Sequence, residues 1–243
     1  MAKYSSSSVA FFLHSGHDLL GVSTDLSDTV EGLTEDATVL GATWQTPLPT
    51  GTKRAELTQA GYFDNAADSS HHVFNEQQGT SRVVSLGYEG NTLGKNATCY
   101  AGAYASKYSR IVSKNQLHRA AATYQITGAS DECAIIAPLA ARTADGNTQT
   151  TPWDNAVLST NGAGYLQVNA ITLSGRPSVV IKLRHSDDNS TYADLATFAA
   201  VSAIGAERVA ITGTINRYVA IAWAWGGSGG TPSVTAAVML NRA

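Results

Sequence analysis

The stretch that decides the fold is residues 16–64, which read GHDLLGVSTDLSDTVEGLTEDATVLGATWQTPLPTGTKRAELTQAGYFD. After a Gly-His-Asp turn, the first half is rich in Thr, Val and Leu with polar residues interleaved, a pattern that predicts extended segments. Gly32 and Gly41 interrupt this pattern as β-bulges or sharp bends do. We therefore expect a long, bent strand after the turn.

The second half of the stretch predicts a returning strand over residues 53–63. Two sets of side chains alternate along it, Ala55, Leu57 and Gln59 against Arg54, Glu56 and Thr58. A proline-flanked loop precedes it, and its prolines fix the backbone without donating hydrogen bonds. This loop is predicted to form a protruding arm between rings of subunits or toward another partner. The arm candidates are Thr46, Pro47, Leu48, Pro49, Thr50 and Gly51.

Three pieces of this region, taken in order and spacing, resemble the major tail tube proteins of long-tailed bacteriophages. They are a G-x-D-L-x-G turn at residues 16–21, G-T-K-x-A-E-L at residues 51–57 and G-Y-F-D-x-A-A-D at residues 61–68. The resemblance covers roughly the first 140 residues, which is near the usual size of one domain. It implies a mainly β, tail-tube-type sandwich or barrel with one helix, followed by further domains.

Composition favours a structural role in an assembly. Hydrophobic residues make up 43% of the 243 residues, enough for a core, while charged residues make up only 14%. A low fraction of charged residues is compatible with burial in an assembly, and it is also compatible with a weakly charged extracellular β-protein. The formal net charge of −3 excludes a generally basic nucleic-acid binder.

Charge is segregated along the chain. An acidic segment contains Asp25, Asp28, Glu31, Glu35 and Asp36, which are candidates for the lumen of a tube or for contacts between rings. A basic segment contains Lys95, Lys107, Arg110, Lys114 and Arg119, which could complement the acids across subunit boundaries. Two ordinary solvated strand faces explain the same pattern, because surface charge usually has no further role.

Cysteine usage and the start of the chain point to a cytosolic origin. Cys99 and Cys133 have no C-x-x-C spacing, and reduced, half-buried thiols are expected. Residues 1–8 lack the apolar core of a signal peptide, and no apolar run approaches the ~20 residues of a membrane helix. We expect a protein made in the bacterial cytoplasm that stays soluble until it assembles.

The segment after Asp64 is the best helix candidate, over residues 65–79, with Asp64 or Asn65 as its cap. A modest apolar stripe that includes Val73, Phe74 and Gln77 would pack across a sheet. Asp68 and His72 fall four residues apart and suggest a metal or acid-base pair, but a third ligand is missing. With no nucleophile elbow and no phosphate loop, we predict no enzyme, no metal and no cofactor.

The chain changes character near residue 143. Residues 143–152 read as a linker between a tail-tube domain at 1–142 and an outer domain at 153–243. Beyond it, short and evenly spaced strands predict a C-terminal β-sandwich, either immunoglobulin-like or jelly-roll. The predicted strands are residues 164–173, 177–185, 193–200, 207–212, 217–225 and 233–240.

This C-terminal part, with its Asx-rich turn at residues 185–192, resembles the outer β-sandwich of some phage tail proteins. The resemblance implies a decoration outside a tube, and a single copy of the tube-like pattern favours hexameric rings. Trp223 and Trp225 share a strand face and are possible surface-binding aromatics. If they are exposed, a carbohydrate- or cell-surface-binding adhesin is an alternative, whereas burial makes them core.

The sequence as a whole predicts a virion protein that polymerises through sheet edges into stacked rings. The arm and the N-terminal segment would join the rings into a tail tube through which double-stranded DNA passes. Its partners would be copies of itself and the tape measure, terminator and baseplate proteins, with no membrane segment. A related terminator or baseplate ring component is a further alternative.

Overall fold

The computed structural model describes residues 5–40, 43–76 and 78–242. In these residues one α-helix accompanies sixteen strands, and two short 3-10 turns lie at Ser6–Ser8 and Leu20–Val22. The elements are β1 (Phe11–His14), β2 (His17–Asp18), β3 (Ser23–Asp36), β4 (Pro47–Tyr62), α1 (Ser70–Glu76), β5 (Arg82–Gly87), β6 (Asn96–Ile111), β7 (Arg119–Ile126), β8 (Ser130–Arg142), β9 (Gly146–Asn147), β10 (Trp153–Asp154), β11 (Ser159–Thr172), β12 (Val179–Ser186), β13 (Ala193–Thr197), β14 (Gly205–Ile215), β15 (Tyr218–Trp225) and β16 (Ser233–Arg242).

The predicted fold class is confirmed: the chain is mainly β with one α-helix in the described residues. Those strands form two antiparallel sheets, one of eleven strands and one of five, and neither sheet closes into a barrel. Within the same residues, no helix combines the length and the apolar character that a membrane crossing demands.

The chain forms two compact units, each assembled from segments that are distant in sequence. The sandwich unit comprises Met1–Gly21, Arg82–Ala101 and Ala129–Ala243, and the hairpin unit comprises Val22–Ser81 and Gly102–Gly128. The predicted linker at 143–152 contains β9, which pairs with β15. The sequence-based domain limits at 142 and 153 remain a prediction about which segments fold independently.

In the sandwich unit, one sheet has the strand order β14-β11-β16-β8-β6-β5-β1-β2 and the other has the order β10-β15-β12-β13, with β9 also on β15. Side chains from the two sheets share one apolar core, as expected for a β-sandwich. Strand β12 contributes Val179, Ile181 and Leu183, and β11 contributes Leu166 and Val168. Alternate residues of β12 therefore form its core face.

A second core of the sandwich unit lies among β1, β6, β8, β11 and β16. Cys99 and Cys133 are both free and are 0% and 3% exposed, so the expectation that they are half-buried is wrong. Burial raises the pKa of the Cys133 thiol, with Cys99 and the nearby carboxylates adding to the rise. These thiols act as small apolar side chains that fill the space between strands.

The hairpin unit consists of two antiparallel hairpins: β3 pairs with β4, β7 pairs with the second half of β6, and β4 pairs with β7 to join them. Along β4, the buried residues Ala55, Leu57, Gln59 and Gly61 alternate with half-buried ones, which confirms the predicted alternation. Helix α1 packs Phe74 against this sheet, with its ring centroid 6.1 Å from that of Tyr124.

The helix is shorter than predicted, because its start is occupied by a turn. The Asp64 carboxylate accepts hydrogen bonds from the Ala66 backbone at 2.9 Å and from the Ser69 hydroxyl at 2.8 Å. These bonds lower the pKa of Asp64, and Asp68 adopts a left-handed φ of 61°. Asp64 thus caps a non-helical turn, as Asx residues often do. Gln77, included in the predicted stripe, lies outside the described residues.

Candidate assembly surface on the long hairpin

The β3–β4 hairpin extends well beyond the sheet that supports it. Strand β4 pairs with β7 only over residues 55–62, whereas its pairing with β3 continues from Gly61 to Pro47. At ~3.3 Å per residue, the eight residues from Pro47 to Arg54 carry the hairpin roughly 26 Å past the end of β7. No residue of β3, which is described in full, is buried. The hairpin therefore presents both faces and a strand edge to solvent.

The loop predicted at residues 46–51 is instead strand, because Pro47 pairs with Asp36 and Pro49 with Thr34. Proline is tolerated there since β4 has β3 as its only partner over this part, so a missing N–H can face the open edge. Gly51, with a φ of 77°, lies where the register shifts between Gly32 and Thr34. The predicted interruption at Gly32 is thus confirmed as a bulge, whereas Gly41 lies outside the described residues.

The true tip of the hairpin is the segment from Ala37 to Thr46, of which residues 41 and 42 are not described. Its two ends are joined by a hydrogen bond of 3.0 Å from the Ala37 backbone N–H to the Thr46 carbonyl. The Thr38 hydroxyl accepts a bond of 2.9 Å from the Thr46 backbone N–H. Asp36 accepts hydrogen bonds from Thr38, which lower the pKa of this carboxyl. The ends of the tip are therefore organised by backbone and side-chain bonds.

Large apolar side chains cluster on this tip and are almost wholly exposed. Val39 is 73% exposed, Trp44 85%, and Leu40 fully so. Leu33 and Leu48, one on each strand near the tip, are 39% and 53% exposed. We call these side chains the apolar tip: Leu33, Val39, Leu40, Trp44 and Leu48. Large exposed apolar side chains grouped in one segment are typical of surfaces that bind another molecule.

The predicted acidic residues all lie on β3 and are exposed. The register opposes Glu31 to Arg54, with 3.9 Å between a guanidinium nitrogen and the carboxylate, whereas Asp28 lies opposite buried Leu57. Because side chains alternate along a strand, Asp25 and Glu31 share one face and Asp28 lies on the other. Glu35 and Asp36 follow the bulge and lie beside the tip. The acids thus divide into three places and do not form one row.

The predicted basic residues divide between the two units. Lys95 precedes β6 in the sandwich unit and is half-buried. The others are exposed in the hairpin unit: Lys107 and Arg110 on β6, Lys114 in the turn between β6 and β7, and Arg119 at the start of β7. Their role as complements of the acids remains a prediction.

The histidines singled out in the sequence have local partners. The Nδ1 of His71 lies 2.9 Å from the Tyr108 hydroxyl, and that of His72 lies 2.9 Å from a Glu76 carboxylate oxygen. Asp68 precedes the helix and so does not share a helical face with His72. In the described residues, no group of three or more His, Cys, Asp or Glu side chains could hold a metal ion.

The tryptophans proposed as a surface platform do not form an exposed pair. Trp225 is 6% exposed and belongs to the sandwich core, against which half-buried Trp223 also packs. The Trp223 indole N–H donates to the Ala144 carbonyl at 2.5 Å, and the Arg142 guanidinium lies 5.4 Å from its ring centroid. Both rings therefore serve packing within the sandwich unit.

The residues predicted to form the arm lie at the outer end of this hairpin and their role as an arm stays a prediction, whereas sequence reasoning missed the apolar tip. The available signal was the run from Val39 to Trp44, where apolar residues stand between acidic β3 and the prolines of β4. The importance of these apolar residues follows from the strand register, which places them at the far end of a hairpin, away from any core.

Comparisons with known proteins give distant structural likenesses. No protein-family model matches the sequence, and no curated protein matches it. A chain of the virion of a native gene transfer agent particle is 13% identical, with a TM-score of 0.41 over 54% of this chain and 98% of that one. A chain of the tail of an empty gene transfer agent particle, refined with six-fold symmetry, is 14% identical, with a TM-score of 0.40 over 53% of this chain and 97% of that one.

A third similar structure is the Dit protein of SPP1, described as a paradigm of the hub adsorption apparatus of phages that infect Gram-positive hosts. It is 10% identical, with a TM-score of 0.35 over 96% of this chain and 98% of the other. TM-scores this low describe a distant likeness of fold, and what the chain does has to be inferred from its own residues.

Proposed function

We propose that this chain is a structural virion protein that polymerises into stacked, hexameric rings and so forms the tail tube of a long-tailed phage or a similar particle. The observation that carries the proposal is the apolar tip at the end of a hairpin that projects from its own sheet. A monomer that stayed in solution would gain nothing from exposing Leu40 and Trp44 so fully.

The open edge of β3 supports the same proposal. Its backbone groups have β4 on one side, and a neighbouring subunit can pair with the other side. Joining sheet edges in a closed ring satisfies these groups without leaving a free edge. The motifs at residues 16–21, 51–57 and 61–68 resemble tail tube proteins and point to the same class of assembly.

The acids of β3 have a role in this proposal as well. Asp25 and Glu31 are candidates to face the lumen, because carboxylates do not hold a passing phosphate backbone as basic side chains do. Glu35 and Asp36, beside the tip, are candidates for contacts between rings. The N-terminal segment, assigned to ring stacking from the sequence, includes residues 1–4, which lie outside the described residues.

The experiment is to purify the whole chain and follow its assembly by light scattering and negative-stain microscopy. We expect tubes with a regular axial repeat. The double substitution Leu40→Ser with Trp44→Ser should abolish tubes while circular dichroism shows an unchanged fold.

The matched control replaces two side chains that are also apolar and exposed, although less fully, and that lie in the sandwich unit. Val157 and Leu158 are 61% and 60% exposed, and Val157→Ser with Leu158→Ser should leave assembly intact. Tubes formed by the tip variant would refute the role of the tip. A monomer at all concentrations would refute the proposed function, and single rings without tubes would assign the chain to a terminator or baseplate ring.

A further inference from the structure

A second surface of the hairpin unit has the chemistry to receive the apolar tip. It is a cleft of about 280 Å³ lined by Phe63, Arg110, Val112, His118 and Arg119. We call it the basic cleft. The backbone N–H of Phe63 donates to the His118 carbonyl at 3.0 Å, and the two rings lie 6.5 Å apart. This bond fixes the segment after β4 against the segment before β7.

The basic cleft combines apolar and cationic side chains. Phe63 is half-buried and Val112 is 70% exposed. Arg110 and Arg119, which are both exposed, form what we call its cationic rim, and Lys114 is exposed in the turn between β6 and β7. The volume of the cleft, about 280 Å³, has room for one large side chain.

The carboxylate next to this cleft is bound within its own turn. The two oxygens of Asp64 accept hydrogen bonds from Ala66 and Ser69. Its single negative charge remains, but Arg110 and Arg119 together give the cleft a surplus of positive charge, so an acidic partner with an apolar anchor fits it best.

The apolar tip has this complementary composition. Trp44 supplies a large exposed aromatic ring, and Glu35 and Asp36 supply exposed carboxylates at the end of β3. Arginine guanidinium groups stack on indole faces and pair with carboxylates, so Arg110 and Arg119 can do both. Tryptophan and arginine are also the residue types that most often anchor protein interfaces.

The register shows that the tip and the basic cleft lie at opposite ends of the same strand. Tyr62, at one end of β4, is opposite Arg119, and Pro47, at the other end, is opposite Asp36. Fifteen residues at ~3.3 Å each separate these ends by roughly 50 Å. One copy therefore cannot place its own tip in its own cleft, and the contact has to be made head to tail between copies.

We propose that the basic cleft is the acceptor for the apolar tip of a second copy of this chain. Trp44 enters the cleft over Phe63 and between Arg110 and Arg119, and the carboxylates of Glu35 and Asp36 meet the cationic rim. This inference rests on the proposed function, since it names the site through which one ring would hold the next.

The test is a charge exchange in the full-length chain. The cleft variant carries Arg110→Glu and Arg119→Glu, which reverse the charge of the rim. The acid variant carries Glu35→Lys and Asp36→Lys, which reverse the charge of the segment that would meet the rim. Each pair alone should raise the concentration needed for half-assembly by at least about 30-fold, the effect of losing an interface hot spot. Combined in one chain, the two pairs should bring the concentration needed for half-assembly most of the way back to the wild-type value, because opposite charges face each other again.

The control is Ser202→Glu with Thr214→Glu, which adds negative charge at two exposed positions of the sandwich unit, outside the cleft. It should leave half-assembly within about threefold of the wild type, because exposed charges that make no pair contribute little. Thermal unfolding of every variant checks that the fold is retained.

The outcomes separate the inference from the proposed function. If the wild type assembles and the cleft variant assembles equally well, the acceptor assignment is wrong while the proposed function stands. The same conclusion follows if the combined variant stays as defective as either pair alone. If the wild type forms no assembly at all, the proposed function itself fails.

Discussion

Strands β3 and β11 both have 14 residues, and the fold uses them in opposite ways. Strand β11 pairs with β14 on one side and with β16 on the other, and it buries an unbroken run of residues from Ala163 to Val168. Strand β3 pairs only with β4, and none of its residues is buried. Two strands of equal length therefore differ in burial because their neighbours differ: β11, paired on both sides, forms part of the core, whereas β3, paired on one side, stays exposed.

The largest expected effect is a loss of stability when a buried side chain of β11 is truncated. Leu166, on β11, is 1% exposed and lies in the sandwich core. Leu166→Ala should lower the free energy of unfolding by about 2–5 kcal/mol, because it leaves a cavity between two sheets. Chemical denaturation measures this loss. Leu33→Ala on β3 is the matched change at an exposed site and should stay within about 0.5 kcal/mol; similar losses at both sites would break the comparison.

A smaller effect is expected from a polar cluster beside β11. The Tyr165 hydroxyl donates to Asp131 at 2.5 Å, and Arg208 donates to the Tyr165 hydroxyl at 2.9 Å. Burial and Asp131 raise the pKa of Tyr165. Asp131→Ala should lower the unfolding free energy by about 1–3 kcal/mol, since it leaves the hydroxyl without its acceptor.

A double-mutant cycle with Tyr165→Phe sharpens this result. If the hydroxyl and the carboxylate act together, Asp131→Ala costs less in the Tyr165→Phe background than in the wild type. Fully additive losses would show that the carboxylate acts through other contacts.

A pH-dependent effect comes next in size. Hydrogen bonds from the Arg217 guanidinium, above all, lower the pKa of exposed Asp154 from 3.8 to about 2. A depressed carboxyl pKa stabilises the fold above the unfolded-state value near 3.8, and this contribution is lost as the pH falls toward 2. Asp154→Asn should therefore lower the melting temperature slightly at pH 6 and clearly less at pH 2, where the carboxyl is already about half protonated. A gap of equal size at both pH values would contradict the ion pair as its source.

The smallest effect on stability is expected at the apolar tip. Leu40→Ser with Trp44→Ser should change the unfolding free energy of the monomer by no more than about 0.5 kcal/mol, because exposed side chains lose little on substitution. Measured at concentrations too low for assembly, a large loss would show that the tip packs against its own chain. The same variant is expected to lose assembly, so stability and assembly should separate at this site.

Sequence patterns predicted the sandwich well, since alternation is a local signal. Strand β12 shows its core face directly through Val179, Ile181 and Leu183. The Asx-rich turn after it was also readable, because the Asp188 carboxylate accepts backbone hydrogen bonds from Ser190 and Thr191, both at 2.9 Å. Each of these features depends on residues only a few positions apart.

What the sequence could not predict depends on pairing over long distances. Strand β8 pairs with β16, with Arg142 opposite Val234, so its partner is distant in sequence. The basic cleft joins Phe63 to residues 110–119, and no local pattern links them. A loop was predicted where the structure has the strand that begins at Pro47, because prolines usually signal loops and an open strand edge tolerates them.

In the assembly proposed above, a chain that has not yet joined a ring would expose the open edge of β3 to aggregation, since an unpaired strand recruits extended peptides. Its carboxylates, from Asp25 to Asp36, repel a second copy of the same edge and so keep two such strands apart at low ionic strength. Salt screens this repulsion, with a Debye length of about 10 Å at 0.1 M and about 3 Å at 1 M. Concentrated salt should therefore convert stored monomer into disordered precipitate, whereas dilute buffer preserves it for ordered growth.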